Sequence, residues 1–252
     1  MLRAASFLPV PTREPRNLVR ILEVEPDLAA GLSEEESAAA RSELVAPCVS
    51  LEWTTQREVW GPSDPAGHLG LMVIEGILLR EVRLVGTPSA ELLARGDILR
   101  PWDADGEEDL PVPASVCWTA LEPLTVAVLD ASFVRRAASW PHVISALIGR
   151  AVVRAKFMAL NDAITNVRRV DTRLLLLFWH LAERWGTVRP ETIEVSLPLT
   201  HEILATLVGA ARPSVTTALT SLAERGLLRR DDGVWQLSRD VERSFGSLLT
   251  EQ

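Results

Sequence analysis

The sequence predicts an α+β protein with an N-terminal antiparallel β-sandwich or barrel, a long central helix and a C-terminal winged helix-turn-helix. Three observations predict this order. Short apolar segments between glycines and prolines fill residues 49–130. A helical pattern then runs from His142 to about Asn166, and two shorter helical patterns followed by two strands occupy residues 199–237. The chain is therefore expected to hold a β-rich half followed by a largely helical half.

The segment before the strands is expected to be helical in pieces. Leu18, Val19 and Leu22 lie at helical spacing. Ser33 followed by Glu36 matches the capping box, in which the two side chains satisfy backbone N–H groups at a helix start. A helix is therefore expected to begin directly after Ser33.

The β-rich half is indicated by frequent breaks. Glycines and prolines interrupt the chain at short intervals, and between them lie the apolar segments Leu69–Ile74, Ile77–Val85 and Leu124–Leu129. Many short strands with regular turn signals are typical of a sandwich or barrel.

The central helix is expected to begin at Trp140-Pro141, with proline in its first turn. About 25 residues at 1.5 Å each give a rod of roughly 37 Å. One apolar stripe follows a spacing near 3.5, and it consists of Ile144, Ile148, Ala151, Ala155 and Met158. Such a stripe predicts a partner helix and hence a homodimer. A helix buried in the core of its own domain is the alternative.

A polar and basic hinge is expected at residues 166–171, before the next helix. Asp171 or Thr172 is predicted to cap that helix, which spans Arg173–Trp185. The alternation of apolar residues in Glu191–Leu197 predicts a strand.

The helix-turn-helix is the most informative part of the sequence. Thr200 is a good N-cap for a first helix, which Gly209 ends. Arg212-Pro213-Ser214 opens a second helix, which Gly226 ends, and residues 227–237 read as two strands around a polar turn. Two helices with a short glycine-containing turn and a following hairpin are typical of a winged helix-turn-helix.

The outer face of the second helix favours DNA over an ordinary helical hairpin. Its residues are Arg212, Ser214, Thr216, Thr217, Thr220 and Ser221. A merely solvated face is richer in Glu and Lys, whereas short polar side chains let a helix approach base edges and phosphates closely. Arg229 and Arg230 follow in the predicted wing, where they are expected to touch phosphate.

The charge distribution supports the same interpretation. The net charge is -8, which by itself argues against nucleic acid. Residues 1–130, however, carry ten Arg and Lys against twenty-two Asp and Glu, whereas residues 131–252 carry sixteen against twelve. The positive half of the chain is therefore the half with the helix-turn-helix.

The sequence resembles the CRP/FNR family of bacterial transcription regulators. The resemblance is strong in the last third of the chain and weak before Asp130. The matching residues are Leu199–Val215, Leu219, Leu222, Glu224–Leu228 and Asp171–Leu174, and, in the β-rich half, Val73–Gly76, Gly96-Asp97 and Val126–Asp130.

This resemblance implies a double-stranded β-helix (jelly roll) like a cyclic-nucleotide-binding domain over residues 18–141. It also implies a dimerisation helix over residues 142–166 and a winged helix-turn-helix over residues 171–245. The implied partners are double-stranded DNA, a second copy of the chain, RNA polymerase and an unknown small-molecule effector.

The resemblance also implies roles for single residues. Arg212 and Ser214 match positions that read bases, and Thr217 lies where some members carry another base-reading arginine. Thr200 and His201 match positions that touch phosphate.

Departures from the family pattern change the expected ligands. Pro213 replaces a glutamate that accepts from cytosine, and Ala211 replaces a Ser or Thr cap. The arginine that binds the cyclic phosphate falls near Ala114, and only Ser115 remains beside it. Because five acidic residues crowd residues 103–109, no cyclic nucleotide is expected to bind. Core roles are expected for tryptophans such as Trp102 and Trp118, with the lining of a cavity for a less charged ligand as the alternative.

Other function classes are not supported. The four histidines are scattered, no nucleophile motif or phosphate loop is present, and two distant cysteines make neither a disulfide framework nor a metal site. The expectation is a cytoplasmic protein without enzymatic activity, cofactor, metal or membrane span. A protein-interaction or ligand-binding jelly-roll protein with a structural helix-turn-helix is the alternative.

Overall fold

The computed structural model describes residues 17–51, 55–56, 60–61, 66–84, 87–101 and 114–241, together with a two-residue strand at 8–9. The chain divides into two compact units. The first comprises Met1–Gly86 and Glu91–Lys156, and the second comprises Thr87–Ala90 and Phe157–Gln252.

The β-rich part of the chain contains two antiparallel sheets. The five-stranded sheet has the order β2-β3-β11-β6-β9, from β2 (Asn17–Arg20), β3 (Val45–Leu51), β6 (Gly70–Glu75), β9 (Ile98–Leu99) and β11 (Leu124–Leu129). The other sheet has the order β4-β10-β7-β8, from β4 (Thr55–Gln56), β7 (Leu78–Leu84), β8 (Thr87–Leu93) and β10 (Ala114–Ala120). Strand β1 (Leu8–Pro9) pairs with β5 (Trp60–Gly61) in parallel.

Alternation along the strands builds two cores. Leu71 and Val73 of β6 pack with residues of the four-stranded sheet, including Trp118 of β10. Met72, which lies between them, packs with helices on the opposite face. This period of two is the pattern of a sheet that is buried on both faces.

Short helices cover the outer face of the five-stranded sheet. They are α1 (Ile21–Val24), a 3₁₀ turn (Pro26–Ala29), α2 (Glu34–Glu43) and α3 (Ala131–Ala137). The capping box at Ser33 is confirmed, because its Oγ accepts from the Glu36 backbone N–H and the Glu36 carboxylate accepts from the Ser33 N–H. The central helix α4 spans Pro141–Thr165, as predicted to within one residue.

The second unit contains α5 (Val170–Trp185), α6 (His201–Leu207), α7 (Arg212–Glu224) and a four-stranded sheet. That sheet has the order β12-β13-β15-β14, from β12 (Gly186–Val188), β13 (Thr192–Val195), β14 (Leu228–Asp231) and β15 (Val234–Ser238). The α+β class with a β-rich N-terminal unit and a C-terminal winged helix-turn-helix is confirmed. None of the helices among the described residues is long and apolar enough to cross a bilayer.

Several local predictions were wrong. Leu18 and Val19 lie in strand β2, because they pair with β3. Helix α5 begins at Val170, so neither Asp171 nor Thr172 is its N-cap. The N-cap is Arg169, whose side chain makes no capping hydrogen bond. Arg229–Gly233 fit a polar turn by their sequence, but the turn is shorter, because Arg229–Asp231 continue strand β14.

Candidate nucleic-acid interface

The first helix of the helix-turn-helix is fixed by its cap. Thr200 Oγ1 accepts a hydrogen bond of 3.2 Å from the Ile203 backbone N–H. Leu204 and Leu207 of α6 are buried, together with Val208 directly after it. These side chains hold α6 against the core and leave its N-terminal end at the surface, where Thr200 is exposed.

The turn between the two helices depends on Gly209. Its φ is 60°, a left-handed conformation that costs glycine little. The backbone N–H of the next residue, Ala210, bonds back to Ala205 O at 2.9 Å. The chain can therefore reverse within a few residues and start α7 at Arg212.

Helix α7 has one buried face and one exposed face. Val215, Leu219 and Leu222 lie in the core. The exposed residues among those predicted to face DNA are Arg212, Ser214, Thr216, Thr217 and Thr220. Arg212 makes no side-chain hydrogen bond or ion pair within the described part of the chain. Its guanidinium is thus available to a ligand.

His201 lies beside this exposed face. Its Nδ1 is 3.0 Å from Thr216 Oγ1, so the N-terminus of α6 is joined to the middle of the face. The structure therefore brings together, in one surface, Thr200, His201 and the exposed residues of α7. Together they form the candidate recognition surface.

The wing holds its arginines in different ways. The turn consists of Asp232 and Gly233, both with positive φ, as two-residue hairpin loops require. Arg229 Nε donates to the Gln236 side chain across the hairpin at 2.8 Å. Arg230 lies over the Trp235 ring at 5.2 Å and donates to backbone oxygens, including Leu199 O. Arg230 therefore also stabilises the wing.

Sequence reasoning missed the residues that position the helix-turn-helix. Arg173 of α5 donates to Val208 O at 3.0 Å and Gly209 O at 3.1 Å, and also to Val167 O in the segment after α4. Asp171 accepts two hydrogen bonds from Arg169, the largest cause of its lowered pKa. The partners of Arg173 in the turn after α6 lie 35 and 36 residues away in sequence, so they leave no local signal.

A buried histidine in α5 is a second feature that the sequence did not indicate. His180 is 7% exposed, and its ring lies 4.5 Å from that of Phe157. Its Nδ1 has no hydrogen-bond partner among the residues that the structure describes. Burial, with a smaller effect of the charge on Arg184, lowers the pKa of His180 to about 4. The imidazole is therefore neutral at pH 7.

The predicted dimer stripe on α4 is largely exposed. Ile148 is 54% exposed and Met158 42%, and Ala151 and Ala155 are also exposed. Ile144 differs, because it packs partly against the core of the first unit.

The predicted effector region is described only in part. Trp118 is 4% exposed in the core, and the Arg80 guanidinium lies over its ring at 5.5 Å. Ala114 and Ser115 open strand β10. Trp102 and the acidic residues 103–109 lie outside the described residues. Within the described part, no group of three or more His, Cys, Asp or Glu could hold a metal ion.

Comparison with known sequences matches part of the second unit to a domain family. Residues 172–241 match the Crp-like helix-turn-helix domain family. The CRP-like cAMP-activated global transcriptional regulator of Mycobacterium tuberculosis is 29% identical over 154 residues, which cover 58% of this chain and 66% of that protein. Regulatory protein CysR of Synechococcus elongatus is 33% identical over 73 residues, which cover 28% of this chain and 35% of CysR.

Solved structures share the fold. A cyclic nucleotide-binding domain containing protein from Listeria monocytogenes superposes with a TM-score of 0.62 at 14% identity, over 88% of this chain and 99% of that one. FixK2 from Bradyrhizobium japonicum gives a TM-score of 0.57 at 16% identity, over 80% and 96%. At these identities the likeness concerns the fold alone.

Proposed function

Because the chain belongs to the CRP/FNR family of transcription regulators, we propose that it is a dimeric regulator that binds a specific site on double-stranded DNA without responding to a cyclic nucleotide. The exposed face of α7 carries the proposal. It presents Arg212 with short polar side chains, in a domain that matches the Crp-like helix-turn-helix. Such a face fits the major groove, where side chains read base edges.

The residues of the candidate recognition surface and the wing are assigned to two kinds of DNA contact. Arg212, at the first position of α7, is assigned to a guanine, whose O6 and N7 match its planar fork. Ser214 and the three threonines are assigned to neighbouring bases. Thr200 and His201 at the start of α6, with Arg229 and Arg230 in the wing, are assigned to phosphates, which set the register and supply sequence-independent affinity.

The contact with a second copy of the chain is assigned to the apolar stripe on α4. Ile148, Ala151, Ala155 and Met158 leave an apolar face exposed on the 25-residue helix. An isolated monomer gains nothing from exposing it, whereas a two-fold mate buries it. A dimer places two recognition helices about 34 Å apart, one turn of duplex, on a nearly palindromic site.

The proposed ligand of the β-rich unit differs from that of the mycobacterial relative, whose name states that it is cAMP-activated. The family's arginine for the cyclic phosphate falls near Ala114, where only Ser115 remains and no side chain supplies a positive charge. The proposal therefore includes a different small-molecule effector or none. RNA polymerase is included as the partner through which a bound regulator acts, with the cytoplasm as its location and no enzymatic role.

Binding of purified full-length protein to random-sequence duplexes tests the function. We expect affinity that falls steeply with salt, because bound arginines displace counterions, and enrichment of one palindromic site. Genome-wide binding then identifies the operator. Duplex binding that is absent at low salt contradicts the proposal and favours a structural helix-turn-helix in a protein-interaction module.

A further inference from the structure

We propose that the exposed threonines of α7 select A·T base pairs, because they present hydrogen-bond acceptors and methyl groups but no free hydroxyl proton. This inference rests on the proposed function, in which α7 enters the major groove. It adds the class of base pair that the threonine face accepts.

The hydroxyl protons of this face are already used inside the helix. Thr217 Oγ1 donates to Pro213 O at 3.2 Å, and Thr220 Oγ1 donates to Thr216 O at 3.1 Å. A hydroxyl carries one proton and two acceptor lone pairs. Both oxygens therefore face a ligand as acceptors, with the γ-methyl groups beside them.

The Thr216 hydroxyl oxygen makes two hydrogen bonds within the protein. Its hydroxyl donates to Arg212 O at 3.1 Å, so the 3.0 Å contact with His201 Nδ1 is one in which the imidazole donates. Thr216 therefore offers mainly a methyl group.

Only one kind of base pair matches an acceptor with an adjacent methyl group. In the major groove an A·T pair shows the adenine N6 amino donor and the thymine methyl. A G·C pair also shows a donor, the cytosine N4 amino group, beside two guanine acceptors, but it has no methyl group, so contact with the thymine methyl is what separates the two pairs. The Arg212 guanidinium carries only hydrogen-bond donors, so it requires acceptors such as guanine O6 and N7. The face therefore predicts a half-site with a guanine under Arg212 and A·T pairs under the threonines.

Helix geometry gives the spacing. Thr217 and Thr220 follow Arg212 by five and eight residues, or about 8 and 12 Å at 1.5 Å each. One base pair rises about 3.4 Å, so the A·T positions lie roughly two to four pairs from the guanine.

A merely solvated surface does not account for this composition. β-branched threonine forms helix less readily than Ala, Glu or Lys. Three exposed threonines within residues 216–220 lower the stability of α7, and their hydroxyls add no contact to the core. A role at the outer face explains their presence.

The test compares matched substitutions of one residue. Thr217→Val keeps shape and methyl but removes the acceptor, whereas Thr217→Ser keeps the hydroxyl and removes the methyl. Wild-type and variant full-length proteins are used to select binding sites from random duplexes, and affinities are then measured with thymine or uracil at the selected positions.

For the wild type we expect A·T at one symmetric pair of positions and a loss of about fourfold on replacing thymine by uracil, the value of one methyl group. Thr217→Ser should lose this discrimination, and Thr217→Val should lose the preference for adenine over other purines. Thr206 provides the control, because its hydroxyl also donates to a carbonyl one turn earlier, Glu202 O, but on α6. Thr206→Val and Thr206→Ser should select the wild-type site.

Two outcomes overturn this inference and leave the proposed function standing. In the first, the wild type selects G·C at the positions that the Thr217 variants alter. In the second, both Thr217 variants select the same site as the wild type. Absence of salt-dependent duplex binding in the wild type overturns the proposed function and the inference with it.

Discussion

Arg212 is the residue on which base recognition is expected to depend most. Its side chain is exposed at the first position of α7. Arg212→Ala should cost about 1–3 kcal/mol per half-site and flatten one symmetric pair of positions in a selection experiment, because a bidentate guanine contact is lost. Arg41→Ala, at an exposed arginine of α2, should select the wild-type site.

The wing arginines provide the contrast. Arg229→Ala should weaken all sequences alike and reduce the salt slope, because a phosphate contact carries no sequence information. Loss of specificity from the wing, with none from Arg212, would mean that α7 does not enter the groove.

His180 makes stability depend on pH. Its folded pKa of about 4 lies below the ordinary 6.5, so between these values the unfolded chain binds a proton that the folded chain does not. Its contribution is complete above pH 6.5 and is lost as pH falls towards 4, by up to about 3 kcal/mol.

The measurement is urea unfolding at pH 7 and pH 4.5 for wild type and His180→Phe, which keeps the ring contact with Phe157. The variant should lose less stability on acidification, since its side chain does not titrate. Equal losses in both proteins would show that another group causes the pH dependence.

Residues differ in how far the sequence reveals them. Thr200 and Arg212 were predictable, because a cap and an outward helix position are set by neighbours in sequence. Arg173 and His180 were not, because their contacts join α5 to the turn after α6 and to Phe157 of α4. Only the folded chain brings such partners together.

Among the elements, long helices with clear periods were predicted best. α4 follows its apolar pattern closely. The prediction of a helix at Leu18 and Val19 was wrong. Two adjacent apolar residues fit a helix as well as a strand, and pairing with β3 decides between them. Helix α3 was missed, although Asp130 caps it by accepting from the Phe133 N–H at 2.7 Å. Seven residues are too few for a periodic signal.

Two arginines one turn apart attach α4 to the β-rich unit. Arg150 pairs with Glu25 at 2.6 Å, and Arg154 donates twice to Glu91 and once to Ile98 O. The carboxylates are largely buried, with side-chain exposures of 9% and 11%. Removal of either guanidinium leaves a buried charge with fewer partners.

Arg154→Met should therefore destabilise the protein by about 1–3 kcal/mol in chemical unfolding, less than a fully orphaned charge because Arg80 still contacts Glu91. Adding Glu91→Gln should recover part of the loss. Arg135→Met, at an exposed arginine bonded to Ser132, should have little effect. Equal effects of the two methionine variants contradict the assigned role.

At the scale of the whole molecule, the β-rich unit and the helix-turn-helix unit are expected to bind different ligands. Isothermal titration with cyclic AMP and cyclic GMP should show no heat of binding, because the family's phosphate-binding arginine is missing near Ala114 and five acidic residues crowd residues 103–109. 5′-AMP serves as the control for contacts to base and ribose. Micromolar affinity for either cyclic nucleotide would contradict the assignment of Ala114.

Assembly joins the two halves of the proposed function. One helix-turn-helix reads only a half-site, so operator affinity depends on holding two at a fixed spacing. The exposed stripe on α4 supplies that constraint if it is buried between copies. Replacing Ile148 and Ala151 together by aspartate should give a monomer, because charges enter a packed apolar seam. The monomer should bind the selected palindrome far more weakly but retain its fold by circular dichroism.

Light scattering at micromolar concentration, with duplex binding on the same samples, checks both consequences. Glu183→Asp and Glu224→Asp, at exposed positions on α5 and α7, provide a doubly substituted control outside the stripe that leaves the net charge unchanged. Wild-type protein that already scatters as a monomer contradicts the dimer. A variant with both aspartates that is still a dimer shows that the dimer interface lies elsewhere. In that case the exposed face of α4 has another partner, and a different contact sets the spacing of the recognition helices.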